Sequence, residues 1–105
     1  MNSTSAEQVL IVITSPPLLE SDLVDWLLVR DGGTGFSSTK INGHSTHHDH
    51  LSVAEQVSGR QRRVQFQIEL NRELWHDFIA SLETDFGGAD LHYWVLPILK
   101  GGHLG

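Results

Sequence analysis

The chain has 105 residues, no cysteine, and a formal charge of −6 when its seven histidines are counted as neutral. This length fits one domain, and the lack of cysteine excludes disulfides, thiolate zinc sites and cysteine nucleophiles. An acidic chain also lacks the basic face that general nucleic-acid binding needs. No apolar run reaches the ~18 residues of a membrane span, and residues 1–7 do not resemble a signal peptide. We therefore expect a cytoplasmic protein that neither inserts into a membrane nor binds nucleic acid.

The first part of the chain predicts a strand, a helix and a weaker strand. Residues 8–14 read QVLIVIT, a β-branched apolar run typical of a strand buried on both faces. Pro16 and Pro17 end this run, and apolar residues then recur at helical spacing up to Arg30. Residues 36–41 indicate a second strand. The predicted apolar positions of the helix are Leu19, Leu23, Val24, Leu27 and Leu28.

The second part predicts a strand, a helix and a strand after a long polar loop at residues 42–61. Loops of that length are usually functional or disordered. Residues 64–70 alternate between apolar and polar side chains, which indicates a strand with one apolar face. Asn71 is a good N-cap for the next helix, which Gly87-Gly88 ends, and residues 91–99 predict the last strand. The predicted core stripe of this helix is Leu74, Phe78, Ile79, Leu82 and Phe86.

The order βαββαβ predicts a single ferredoxin-like α+β domain over residues 1–105. We expect a four-stranded antiparallel sheet of order 4-1-3-2, with both helices on one face and flexible ends at residues 1–7 and 100–105. Pro97 places the last strand at an edge. That strand also contains Tyr93, Trp94 and Leu96, and it is too apolar for an edge open to water. We therefore expect another copy of the chain to cover it.

A cluster of potential metal ligands lies in the long loop, where four histidines and one aspartate occur within seven residues. Neutral imidazole binds borderline divalent metals such as zinc, nickel, cobalt and copper(II). The alternative is a solvated loop whose histidines bind nothing specific. The predicted ligands are His44, His47, His48, Asp49 and His50.

Three arginines follow the histidine cluster at the entrance to the third strand. Arg60, Arg62 and Arg63 could hold a phosphate or carboxylate through bidentate hydrogen bonds. The alternative is salt bridging between subunits, for which Glu55 is one candidate partner. Both interpretations stay open at this point.

Enzyme signatures are missing from the sequence. It has no nucleophile elbow, P-loop or HExxH pattern. Acylphosphatases share the predicted topology but need an arginine in the first strand–helix loop, which here reads Ser15-Pro16-Pro17. RNA-recognition motifs need aromatic residues on the open face of the third strand, where this chain has Gln65, Gln67 and Glu69. We expect no catalytic activity, with an enzyme of the dimeric ferredoxin-like barrel type as the remaining catalytic alternative.

Two segments resemble a bacterial branch of the PII-like superfamily that is often encoded beside heavy-metal efflux systems. They are residues 51–64, LSVAEQVSGRQRRV, and residues 93–98, YWVLPI. The resemblance extends over about residues 8–102 and places the long loop at the position of the PII T-loop. It implies a homotrimer, ligand sites in clefts between subunits, and a mobile loop that reports ligand occupancy to a partner.

The chain departs from the nitrogen-regulatory PII proteins in two places. Residues 86–90, FGGAD, are too short for the glycine-rich phosphate-binding segment of those proteins, and the loop lacks their modified tyrosine. Nucleotide sensing and nitrogen control are therefore not carried over. We expect a PII-like trimeric regulator that responds to a divalent metal through its histidine loop and acts on a metal-efflux membrane protein. The alternatives are a metal buffer or chaperone, and a small-molecule or nucleotide sensor that binds anions through the three arginines in intersubunit clefts.

Overall fold

The computed structural model describes residues 7–30, 35–44 and 61–105. The predicted βαββαβ order is confirmed, and a short 3-10 turn precedes each helix, at Pro17–Leu19 and at Arg72–Leu74. The elements are β1 (Gln8–Ser15), α1 (Glu20–Arg30), β2 (Phe36–Gly43), β3 (Gln61–Asn71), α2 (Trp75–Phe86) and β4 (His92–Ile98).

The four strands form one antiparallel sheet in the order β2-β3-β1-β4, which confirms the predicted arrangement. β1 and β3 are central, and β2 and β4 are the edges. In the register of the sheet, Ile11 lies opposite Ile68 on one side and opposite Val95 on the other. Residues that share a face of the sheet can therefore be read from alternate positions along each strand.

Both helices pack on the face of the sheet that carries Ile11 and Phe66, and the buried apolar side chains of all these elements form one cluster. Phe66 is completely buried, and burying such a side chain stabilises a fold by ~1.5–3 kcal/mol. The cluster comprises Val9, Ile11, Ile13, Leu23, Leu27, Val64, Phe66, Ile68, Phe78, Ile79 and Leu82.

Two leucines predicted for the core are instead exposed. Leu28 is 60% exposed because it follows Leu27 on α1 and lies about 100° further around the helix. Leu74 is 49% exposed because it lies in the 3-10 turn, before α2 begins. The prediction that β1 is buried on both faces also needs correction. Leu10 and Val12 are only half-buried because the helices cover one face of the sheet.

The ends of two predicted elements differ from expectation. Asn71 occupies the N-cap position of a 3-10 turn, but its side chain makes no capping hydrogen bond. The neighbouring Arg72 amide donates instead to the Glu7 carbonyl at 2.9 Å. β2 also continues to Gly43, which pairs with Gln61 of β3, so the ends of the predicted 42–61 loop belong to the strands.

The two helices contact each other through Trp26. Its ring meets Phe78 and Phe86 edge-on, with centroids 5.2 and 5.7 Å apart. Its indole Nε1 donates to Asp85 Oδ2 at 2.7 Å. Arg30 also reaches Asp85, at 3.3 Å, while its guanidinium lies 3.9 Å from the Trp26 ring centroid. These contacts fix α1 against the C-terminal end of α2.

Candidate functional site

The predicted metal ligands lie mostly outside the described residues. His44 is described, and it lies exposed directly after the end of β2. The other four predicted ligands fall in residues 45–60, outside the described residues: His47, His48, Asp49 and His50. Within residues 7–30, 35–44 and 61–105, no group of three or more His, Cys, Asp or Glu side chains could hold a metal. The histidine site therefore stays a prediction.

The predicted arginine cluster is divided between the two faces of the sheet. Arg62 and Arg63 are consecutive residues of β3, so their side chains alternate between faces. Arg62 is exposed on the face that carries the helices, whereas Arg63 is buried on the other face. Arg60 lies outside the described residues. A single ligand within one chain cannot easily engage both Arg62 and Arg63.

Arg63 has a partner that was not predicted, Asp90. The guanidinium donates from Nη1 to Asp90 Oδ2 at 3.1 Å and from Nη2 to the Asp90 carbonyl at 2.8 Å. A longer contact of 3.4 Å reaches the Thr14 carbonyl. His92 Nε2 lies 3.6 Å from Asp90 Oδ1. Arg63 thereby connects the start of β3 to the turn that precedes β4.

The turn between α2 and β4 has a backbone that positions Asp90. A Cβ atom at Gly87 would lie 2.7 Å from the Glu83 carbonyl, so this close approach requires glycine. Gly88 follows with a φ of +83°, and Asp90 itself has a φ of +63°, a conformation that aspartate tolerates better than most residues. Two residues into β4, the Tyr93 hydroxyl lies 3.1 Å from Glu83 Oε2. That hydrogen bond and the Glu83 charge raise the pKa of Tyr93.

A cleft opens on the other side of β3, between the start of α1 and the paired ends of β2 and β3. We call it the β2–β3 cleft. Its volume is about 430 Å³, which lies within the range of small-molecule sites. Its lining includes Pro17, Glu20, Lys40, Asn42, Arg62 and Val64. Arg62, one of the arginines predicted to bind an anion, lines this cleft.

The sheet face away from the helices has an apolar half and a polar half. On β4, Trp94 is 53% exposed and Leu96 is 42% exposed. They pair with Val12 and Leu10 of β1, so these four side chains lie on one face. The neighbouring positions on β3 are polar, as predicted from the alternation of that strand. They are Gln65, Gln67 and Glu69.

Several residues that build these features were not predicted. Asp90 lies 27 residues from Arg63 in the sequence, and no local pattern indicates their contact. Lys40 and Glu20 of the cleft come from different elements. The register of the β2–β3 hairpin brings Lys40 beside Arg62. The predicted second strand ended at residue 41, so the pairing of Asn42 with Arg62 was not anticipated.

One protein-family model matches almost the whole chain. The model for DUF3240, a family described as proteins of unknown function, matches residues 4–105. The chain belongs to the DUF3240 family. The chain matches no curated protein.

Solved structures similar to this DUF3240 protein share its fold. A DUF3240 family protein from Shewanella baltica matches with a TM-score of 0.76 and 22% identity, over 95% of this chain and 99% of that one. CPII from Thiomonas intermedia, a nitrogen regulatory PII-like protein bound to ADP, AMP and bicarbonate, matches with a TM-score of 0.66 and 16% identity, over 92% and 96% of the two chains. CutA from Synechococcus elongatus matches with a TM-score of 0.67 and 14% identity, over 91% and 80%.

These similarities confirm the predicted ferredoxin-like α+β architecture of the PII-like type. Because these structures share only 14–22% of their sequence with this chain, the similarities show the fold alone. Among the described residues of this DUF3240 protein, no helix is both long and apolar enough to cross a membrane.

Proposed function

We propose that this DUF3240 protein is a non-enzymatic regulatory or sensor protein that works as a cytoplasmic homotrimer. The PII-like fold supports a regulatory role, because one structural neighbour is a nitrogen regulatory PII-like protein. The observation that supports self-association is the apolar half of the open sheet face, where Trp94 and Leu96 are about half exposed. A second copy of the chain would remove this surface from water.

The signal in this proposal is a divalent metal, bound by the histidines of the segment between β2 and β3. His44 lies at the exit of β2, and Gly43 pairs with Gln61 at the entrance of β3. A metal that binds one conformation of the segment would shift the population towards that conformation. The ordered segment would then act on a partner, for which the family resemblance suggests a metal-efflux membrane protein.

Two other functions share these residues. A metal buffer or chaperone would use the same histidines without a change in segment conformation. A small-molecule or nucleotide sensor would bind anions through Arg60, Arg62 and Arg63 in clefts between subunits. The second alternative gains support from the ADP, AMP and bicarbonate bound to the Thiomonas CPII protein. Stabilisation of the chain by ADP or AMP in a thermal-shift assay would favour it.

Calorimetric titration with zinc, nickel, cobalt and copper(II) tests the metal proposal. The variant in which His44, His47, His48 and His50 are replaced by alanine should lose binding. The matched control is His76→Ala with His103→Ala, because both of these histidines are exposed and lie outside the cluster. Wild-type affinity should also fall as pH decreases, since the ligands must be neutral imidazoles.

Three results separate the possibilities. Equal binding by the cluster variant and the wild type would contradict the metal proposal. More than one metal per chain, with no change in protease sensitivity of residues 45–60, would favour the buffer. One metal per chain with protection of that segment would support the sensor.

A further inference from the structure

The segment that follows β4, residues 99–105, carries two leucines that are almost fully exposed. Leu99 is 92% exposed and Leu104 is 99% exposed. Single exposed leucines are ordinary on protein surfaces, but here two of them lie within seven residues that also contain three glycines. Burying the leucines would be favourable, and the glycines leave the backbone free to follow another surface. We call residues 99–105 the tail segment.

The tail segment begins beside the apolar half of the open sheet face. β4 ends at Ile98, whose side chain lies on the same face as those of Trp94 and Leu96 because side chains alternate along a strand. A Cβ atom at Gly101 would lie 3.6 Å from Ile98 Cγ2, so the backbone of the segment passes next to this face. Trp94 and Leu96 are nevertheless about half exposed. The tail segment therefore does not cover the apolar half of its own chain.

The symmetry of a homotrimer determines what kind of surface can cover this face. Contacts in a closed ring of three copies are heterologous, so a surface of one copy meets a different surface of the next copy. The apolar half therefore needs a second exposed apolar surface elsewhere on the chain. Leu18 and Leu28 are exposed, but they lie before and on α1, on the opposite side of the sheet. The tail segment is apolar and starts at the edge of the face itself.

The tail segment is also long enough to cross a neighbouring sheet. The six residues from Leu99 to Leu104 span ~20 Å when extended. Four strands spaced ~4.8 Å apart cover ~14 Å from the first strand to the last. A segment that leaves one copy at the end of β4 can therefore lay both leucines on the next copy.

We infer that residues 99–105 of each copy cross to the next copy of the chain and pack Leu99 and Leu104 on the apolar half of its open sheet face. The contact is heterologous and closes after three copies. This inference rests on the proposed homotrimer, and it names the part of the partner that covers the face.

Engineered disulfides test the crossing directly, because the chain has no cysteine of its own. Gln67 is exposed and lies opposite Val12, at the border of the apolar half. In the variant with Gln67→Cys and Leu104→Cys, oxidation should link position 104 of each copy to position 67 of the next. A disulfide requires the two Cα atoms to lie within ~7 Å. The expected product is a covalent trimer on a denaturing gel without reductant.

The matched control combines Leu104→Cys with Ser21→Cys, because Ser21 is exposed on α1, on the other side of the sheet. Its chains should not form covalent trimers under the same oxidation. Leu104→Cys alone can link no more than two chains, so it gives the background of links between tail segments.

A second measurement tests the contribution of the two leucines to assembly. Burying one leucine is worth at least a tenfold change in an equilibrium constant. Leu99→Ser with Leu104→Ser should therefore raise the dissociation constant of the trimer ~100-fold or more. Light scattering over a dilution series measures this change. Leu18→Ser with Leu28→Ser is the control, and it should leave the dissociation constant unchanged.

Three outcomes would overturn the inference. One is a disulfide formed within a single chain, which would place the tail segment on its own sheet. The second is no more covalent trimer than in the Ser21→Cys control. The third is unchanged assembly of the Leu99→Ser and Leu104→Ser variant. If the wild type is trimeric in these cases, the proposed homotrimer stands and the crossing fails, whereas a monomeric wild type contradicts both.

Discussion

Arg63 and Asp90 form a pair in which the cation is buried and the carboxylate is not. The Arg63 side chain is 5% exposed, whereas that of Asp90 is 42% exposed. Asp90 offers both its carboxylate and its own backbone carbonyl to the same guanidinium. A buried arginine needs such partners because burying an unpaired charge is costly. The pair therefore holds the turn before β4 against the start of β3.

Replacing Asp90 by asparagine should destabilise the fold while keeping its backbone. Asparagine tolerates a positive φ, so this change removes mainly the charge opposite Arg63. Because the carboxylate is partly exposed, we expect a loss of ~1–2 kcal/mol in the free energy of unfolding. Asp90→Ala should lower the free energy of unfolding further, since alanine also disfavours the positive φ of this position. Urea denaturation at fixed protein concentration measures both changes.

The control for the Asp90 variants is Asp25→Asn on the exposed surface of α1. Such surface changes usually stay within ~0.5 kcal/mol. Wild-type stability of Asp90→Asn would mean that the backbone carbonyls alone satisfy Arg63.

Tyr93 should titrate above its ordinary pKa of 10.0. The hydrogen bond to Glu83 and the negative charge of that residue both favour the protonated phenol. This contribution to stability is therefore present below pH 10.0 and is lost as pH rises through the folded-state pKa.

Tyr93 is the single tyrosine of the chain, so the near-ultraviolet absorbance of tyrosinate measures the titration of this residue directly. Glu83→Ala should bring the pKa back towards 10.0, whereas Glu73→Ala should not. The same titration curve in wild type and Glu83→Ala would refute the assignment.

The fold was predictable because its patterns are local. The alternation from Val64 to Leu70 and the helical spacing of Phe78, Ile79 and Leu82 both follow from burying one face of an element. Neither pattern identifies which apolar residues at the margin of a stripe stay exposed. Leu28 lies about 100° around α1 from the buried Leu27, and Leu74 lies in the turn before α2 begins.

The candidate sites were less predictable because they depend on long-range register. The sequence groups Arg62 with Arg63, but strand alternation sends them to opposite faces. Arg63 then pairs with an aspartate whose position depends on the positive φ of two residues in the α2–β4 turn. Lys40 joins Arg62 only through the β2–β3 ladder. By contrast, the histidine cluster is a purely local signal, and most of it lies outside the described residues.

The contact between the two helices should show measurable coupling between Trp26 and Asp85. Trp26→Phe removes the indole donor of the 2.7 Å hydrogen bond, and Asp85→Ala removes its acceptor. Asp85→Ala also breaks the exposed ion pair with Arg30, which contributes little by itself. We expect Asp85→Ala to cost ~1 kcal/mol and the double-mutant cycle to give a coupling of ~0.5–1.5 kcal/mol. A coupling near zero would show that ring packing alone holds α1 against α2.

The open sheet face should control assembly through Trp94 and Leu96. These side chains adjoin Val12 and Leu10, and a charge placed among them would be buried unpaired in an interface at a cost of several kcal/mol. If the proposed homotrimer of 11.7 kDa chains forms through this face, Trp94→Glu and Leu96→Glu should each convert it into monomers, as measured by light scattering after size exclusion. Leu18→Glu is the control, since Leu18 is 93% exposed in the 3-10 turn before α1. A monomeric wild type, or trimers that persist in both folded β4 variants, would contradict assembly through this face.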